Sequence, residues 1–356
     1  MDECSRIQKT NSPILININM ANIIPISNLP KSTQTTGEEQ MVVVQSGTTK
    51  QISLSSFIGG CSNTREIFSG VGAGTGNNAS GENSFIGGGI TNTSSGSASF
   101  IGSGANNNAS GDNSFIGSGT EGTASGYSSF IGGGCSNKAS QTSSTVAGGA
   151  YGTASGYRTF IGGGLSATAS GNDTAIIGGK CNTTTKNHST IVGGVNNTAG
   201  GTRSSVIGGL CNTASGIGST IVGGASGTSN GYRSFIGGGC LNTSSCVGTS
   251  VVGGISGRAS GFRSAVIGGK CNVVSNSDSA ILGGQKNTAS GTCSVILGGT
   301  NNTITHNKSF IIGSGITSIS NNTTHVEKLA ITSIPTSDPG TPGIVWSDSG
   351  TLKISQ

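Results

Sequence analysis

The chain has 356 residues, including 65 Gly, with 4% aromatic and 9% charged residues and a formal net charge of +5. Gly does not recur at every third residue and there are only 6 Pro, which excludes collagen. Basic residues are spread too thinly for a nucleic-acid stripe, and no apolar run reaches membrane-spanning length, so neither nucleic-acid binding nor membrane insertion is expected.

Residues 1–56 read as an N-terminal extension with an attachment or capping segment. Residues 1–30 lack the charged start, apolar middle and small-residue cleavage site of a leader, so export by a leader of its own is not expected. Met20-Ala21-Asn22 suits a start, which would make residues 1–19 an extension. Residues 41–58 alternate between turn residues, the pattern of a β-hairpin.

Residues 57–315 read as a β-solenoid. From 71 to 315 the chain repeats every fifteen residues; one cycle is Asn77-Asn78-Ala79-Ser80-Gly81-Glu82-Asn83-Ser84-Phe85-Ile86-Gly87-Gly88-Gly89-Ile90-Thr91. All sixteen positions in the column from Ile86 to Ile311 are Ile or Val, and all from Ser84 to Ser309 are Ser or Thr. Disordered low-complexity sequence would not hold such columns. A short fixed period with turn residues in each cycle marks stacked coils. The Asn77 column holds Asn in eleven cycles and Gly in four, with Ala167 the exception. Both residues tolerate a left-handed backbone, so this column is expected to be a corner with positive φ. Further corners are expected near Gly81 and at Gly88-Gly89, leaving room for two very short strands per coil.

Residues two apart in a strand share a face, so Phe85 and Gly87 sit together, opposite Ser84 and Ile86. Where the first of the pair is Phe (Phe85, Phe100, Phe115, Phe130, Phe160, Phe235), the second is Gly. Where the first is small, as at Ala175 or Thr190, the second is Ile, Val or Leu. Total volume is thereby roughly conserved, as a packed site requires. Phe310 with Ile312 departs from this trade at the last coil. A continuous outward ridge of this kind is a patch that soluble monomers avoid. The chain is therefore expected to associate about a long axis as a homotrimer. Phe85, Phe100, Phe115, Phe130, Phe160 and Phe235 would lie in the interface, with Ile177, Val192, Ile207, Val222, Leu282 and Leu297.

Glycoside cleavage needs paired carboxylates, yet the acids of the repeats are scattered at Glu82, Asp112, Glu121, Asp173 and Asp278. His188, His306 and His325 are far apart, and the Gly-Gly runs read as corners rather than phosphate cradles. No catalytic residue, cofactor site or metal site is expected, and the chain is not predicted to be an enzyme. Cys135, Cys181, Cys211, Cys240 and Cys271 recur near one place in the cycle but never in adjacent cycles. With coils ~4.8 Å apart they read as reduced, half-buried thiols. Tyr157-Arg158, Tyr232-Arg233 and Phe262-Arg263 share two columns that should face solvent. Aromatic and Arg side chains anchor recognition, which makes these six residues candidates for receptor or glycan contact. The alternative is that Arg merely stacks on its aromatic neighbour and shields the coil. Sequons occur at Asn92, Asn108, Asn182, Asn242 and Asn322.

Residues 316–356 read as a C-terminal β cap, with an alternating, turn-bounded segment at 344–355. A solenoid exposes open strand edges at both ends, which gives such caps a purpose.

The cycle Asn212-Thr213-Ala214-Ser215-Gly216 through Ser219-Thr220-Ile221-Val222-Gly223-Gly224 resembles the head repeat of trimeric autotransporter adhesins. The resemblance implies a left-handed parallel β-roll with three chains packed side by side. The chain departs from that family in showing no signal peptide, heptad stalk or C-terminal membrane-barrel segment. Ile26-Ser27-Asn28-Leu29-Pro30 and Met41-Val42-Val43-Val44-Gln45-Ser46-Gly47-Thr48-Thr49-Lys50 resemble the opening of phage and large-virus fibre proteins. Ile334-Pro335-Thr336-Ser337-Asp338-Pro339-Gly340 and Gly343-Ile344-Val345-Trp346-Ser347-Asp348-Ser349-Gly350-Thr351-Leu352-Lys353 resemble a terminal segment of virion tail-fibre proteins. Together these resemblances imply a fibre or spike on the virion surface that mediates host attachment. Its partners would be two further copies, other virion proteins and a host receptor or glycan. The alternatives are the head of a bacterial cell-surface adhesin and a polysaccharide-binding or -degrading tailspike.

Overall fold

The computed structural model describes residues 40–45, 48–53, 69–330 and 332–356. The chain divides into two units, Met1–Glu66 and Ile67–Gln356. In the first, strands Gln40–Gln45 and Thr48–Ser53 form an antiparallel hairpin that pairs Gln40 with Ser53 and Gln45 with Thr48. The Leu29-Pro30 segment and the start at Met20 lie outside the described residues.

The second unit is an all-β parallel solenoid, with no helix among the described residues. Each coil gives one two-residue strand to each of two parallel ladders, as Asn78–Ala79 and Phe85–Ile86 do. The first ladder has 16 strands, from Asn78–Ala79 to Thr303–Ile304. The second runs from Gly70–Val71 to Thr324–Val326 and is open at both ends, since each terminal strand pairs with one neighbour. The fifteen-residue period is the pairing register: Ile86 lies beside Ile101, and Ala79 beside Ser94. A third side is a file of single bridges, beginning Thr75 to Ile90 to Ala105 and ending Gln285 to Thr300. At the end the step shortens, and Phe310 pairs with Thr324.

Coils are bonded in both directions. Strand residues donate forward, as Phe85 N–H does to Ser99 O at 2.9 Å, whereas Thr91 N–H reaches back to Thr75 O at 2.9 Å and Ala98 N–H back to Glu82 O at 2.7 Å. The backward donors are the left-handed residues: φ is 55° at Thr91 and 52° at Ala98. A left-handed residue turns its amide the other way along the stack, so the ladder bond offsets the cost of that conformation. The third left-handed site in each coil is the second glycine of the pair, with φ 102° at Gly89.

The Asn77 column is not one of these corners, contrary to expectation. Asn92, Asn107, Asn182 and Asn197 are buried and none has positive φ; the left-handed residue is the one before, Thr91 or Asn106. The side chains form a ladder instead. Asn92 Oδ1 accepts the Asn107 N–H at 3.0 Å, and Asn92 Nδ2 donates to Gly88 O at 3.0 Å and Gly104 O at 2.9 Å. Three bonds satisfy a buried amide that would otherwise be costly. Where Gly replaces Asn it still donates, as Gly122 N–H does to Asn107 Oδ1 at 2.8 Å. A corner does lie near Gly81, with its left-handed residue at Asn83, φ 57°. A Cβ on Gly81 would lie 2.1 Å from Gly96 O, so glycine permits the close stacking there, while Gln141, Lys186, Cys246, Asn276 and His306 hold the equivalent place in other coils.

The core is one side chain thick. Ile86, Ile116, Ile221 and Ile296 are fully buried and face the small Ala109, Ala124 and Ala214 column across the coil. Each such Ile contributes about 1.5–3 kcal/mol by leaving water. The Ser84 column also points inward. Ser99 Oγ donates to Gly96 O at 2.7 Å and accepts from Ser94 Oγ at 2.6 Å, which lets Ser replace Ala on the far wall.

The C-terminal strands Val345–Asp348 and Thr351–Ile354 form an antiparallel hairpin. It closes on the preceding loop through Ser347 N–H to Pro335 O at 2.8 Å and Ser355 Oγ to Asp338 Oδ1 at 2.6 Å. Lys353 pairs with Asp348 and lies over the Trp346 ring, 5.3 Å from its centre.

Candidate interaction surface

Ser84 and Ile86 point into the coil, so Phe85 and residue 87 point out. Phe85, Phe115, Phe130 and Phe160 are exposed, Phe100 and Phe235 half-buried. Ile177, Val192, Ile207, Val222, Leu282 and Leu297 continue the file and are all exposed, Ile177 at 51%. The ridge thus follows the second ladder and is interrupted at Thr145 and Ala147, where both outward residues are small. Its rings stack in register, with centroids 5.8 Å apart from Phe85 to Phe100, 5.1 Å to Phe115 and 5.2 Å to Phe130.

The volume trade has a visible cause. In the Phe coils a Cβ on residue 87 would sit 2.6 Å from Gly102 O, and in the Phe160 coil a Cβ on Gly162 would also meet the Phe160 ring at 3.3 Å. The ring covers the glycine and occupies the space that Ile177 or Val192 fills elsewhere.

A mixed file flanks the corner at residues 88 and 89. Ile90, Leu165, Leu210 and Ile255 are exposed on the bridge side, but Lys180, Lys270, Gln285 and Thr300 interrupt them. A depression of about 250 Å³, lined by Leu297, Gly298, Gly299, Ile312, Gly313 and Ser314, lies at the C-terminal end of this corner.

Tyr157, Tyr232 and Phe262 lie exposed in the turn between the two ladders, several coils apart, so the structure does not bring the three pairs into one site. In each pair Arg lies over its own neighbour: Arg158 over Tyr157 at 4.8 Å, Arg233 over Tyr232 at 5.0 Å and Arg263 over Phe262 at 4.7 Å. Two arginines also reach one coil onward, Arg158 Nε to Asp173 Oδ1 at 2.6 Å and Arg263 Nε to Asp278 Oδ1 at 2.8 Å. The hydrogen bond to Asp173, helped by its charge, raises the Arg158 pKa. Arg233 has Gly248 at that step and no such partner. This geometry favours the shielding role for Arg158 and Arg263 and leaves Arg233 the freest of the three. The pairing was legible down a single column, where Asp173 and Asp278 follow Arg158 and Arg263 by fifteen residues.

Cys135, Cys181, Cys240 and Cys271 are free, half-buried thiols, whereas Cys211 is exposed rather than half-buried. Cys211 occupies the left-handed site with φ 57°, on the outside of a corner. The sequon residues Asn92, Asn182 and Asn242 belong to the buried amide ladder, while Asn108 and Asn322 are exposed. No protein-family model matches the chain, and no curated protein matches it in sequence.

Proposed function

We propose that this chain is a non-enzymatic structural fibre or spike protein of a virion, a homotrimer that projects from the particle and attaches it to a host surface. The carrying observation is the ridge: apolar, volume-matched in all but the Thr145 coil and largely exposed from Phe85 to Leu297, on a ladder that no other part of the described coils covers. Soluble chains leave no such patch to water, and burial against further copies is the economical remedy. The resemblance to adhesin heads supports three chains wound as left-handed rolls. The terminal segments support a virion origin, and their hairpins would cap the open ladder edges. Coils ~4.8 Å apart make a rod of roughly 75 Å, long enough to present many weak contacts at once.

Immunogold labelling with an antibody to the full chain tests the reading. Label on virion surfaces supports it, and label on a bacterial envelope favours the adhesin alternative. Release of reducing sugar from capsular polysaccharide would replace it with a tailspike. Attachment itself is tested on immobilised glycans: Tyr232→Ala with Arg233→Ala should lower binding at least tenfold while the thermal melt stays in place.

A further inference from the structure

Glycine recurs in four columns of the cycle, and the chain itself accounts for three. Where residue 81 is glycine, the next coil's carbonyl lies 2.1 Å from where a Cβ would be; residue 89 is glycine where φ is left-handed; residue 87 of the Phe coils lies under the next carbonyl. The column at residue 88 has no such reason. From Gly148 to Gly298 every equivalent position is Gly, a Cβ would meet nothing within 4 Å, and no φ there is left-handed. The backbone at this place does accept side chains, since Ala73, Ser103 and Ser118 occupy it without positive φ. Glycine loses more conformational freedom on folding than any other residue. A cost that recurs in twelve successive coils, from Gly133 to Gly298, therefore has its counterpart outside the single chain.

Flexibility is not that counterpart. Most carbonyls of this column are held by the buried amide ladder, as Gly178 O is by Asn182 Nδ2 at 2.9 Å and Gly208 O by Asn212 Nδ2 at 3.0 Å; the exceptions are Gly148, Gly163, Gly223 and Gly253, whose coils have Gly or Ala in place of the Asn. The result is a strip of bare backbone held along most of its length. On one side it borders the apolar ridge of Ile177, Val192 and Ile207; on the other it meets a mixed file, where Lys180, Lys270 and Gln285 interrupt Leu165, Leu210 and Ile255.

We infer that the glycine strip from Gly133 to Gly298 is the line of closest approach between copies of this chain, with a second copy lying against it in register. A globular partner would touch such a strip at one place. Only an object with the same rise per coil requires bare backbone at twelve successive coils, and this chain is such an object. The strip borders the apolar ridge, so the ridge of one copy can lie against the strip of the next, the head-to-tail contact that closes a ring. The inference rests on the oligomeric reading proposed above and names the contact line within it.

Two measurements on the full chain test it. The thiol introduced by Gly223→Cys would stand in open space on a lone chain. In the folded assembly it should react with a maleimide at least tenfold more slowly than the native exposed Cys293, which serves as reference. Gly178→Val, Gly208→Val and Gly238→Val combined should raise the concentration at which the assembly dissociates at least tenfold, with the β-sheet circular dichroism unchanged. Should the triple variant fail to fold, the thiol rate decides alone. Fast labelling in a multimeric wild type overturns the glycine contact line and leaves the fibre reading standing on the ridge. Fast labelling in a monomeric wild type overturns both.

Discussion

The coils at Phe85, Phe100, Phe115 and Phe130 and the coils from Ala175 to Leu297 have the same interior and different surfaces. Inside, both stack a fully buried Ile or Val on its equivalent one coil away. Outside, the first set carries a stack of rings over glycine, and the second a file of Ile, Val and Leu interrupted once by Phe235 over Gly237. Residue 88 changes with them only in part: Ser103 and Ser118 stand beside two of the rings, Gly88 and Gly133 beside the other two, and every aliphatic coil has Gly there. The interior columns preserve chemistry because the core is one residue thick. The outer ridge preserves volume, which is how a surface behaves when something packs on it.

Interior truncation should have the largest effect and should not distinguish the two sets. Ile101→Ala and Ile221→Ala should each cost about 2–5 kcal/mol in urea unfolding of the full chain. A gap of more than about 1 kcal/mol between them would break the claim of a common interior. Asn197→Ala, which removes three bonds from the buried ladder, should cost about 1–3 kcal/mol by leaving amides and carbonyls unpaired.

On the ridge the sets should differ. Gly117→Val places a Cβ 2.6 Å from Gly132 O under the Phe115 ring and should destabilise by about 1–3 kcal/mol. Val192→Gly should instead leave the coil folded and weaken assembly, read as a higher dissociation concentration. Equal behaviour of the two variants would mean that the trade at residue 87 has nothing to do with packing between copies.

The smallest effect is a control outside both sets. Asp338, which accepts bonds from Ser355 and Gly340, and Asp348, which accepts a bond from Lys353, have pKa values below their ordinary 3.8. Because the folded values are depressed, their contribution is complete above 3.8 and is lost as pH falls through the folded values. Hydrogen exchange should quicken in residues 343–355 at such pH while the ratio of protection between the two sets of coils stays fixed. A change in that ratio would show that charge, not packing, separates them.

The ladders were legible because the Ile86 and Ser84 columns are strict, and strictness follows from burial. The Asn77 column was equally plain, yet its meaning was misread. Asn tolerates a left-handed backbone and also bonds along a stack, and residue type alone does not separate the two. The true left-handed sites hold Thr91, Arg158, Cys211 and Leu241, residues whose variety reflects exposure and conceals the backbone. The outward ridge could be read from the Phe85 and Gly87 trade. The bare strip at residue 88 could not be told from its left-handed neighbour at 89, since both are written Gly.

Absolute mass by light scattering after size-exclusion chromatography of the soluble full chain tests the burial of the ridge most directly. The account predicts a species of three times the chain's 34.8 kDa, with no folded monomer at working concentration. A well-folded species at 34.8 kDa would contradict it, because the file from Phe85 to Leu297 would then face water.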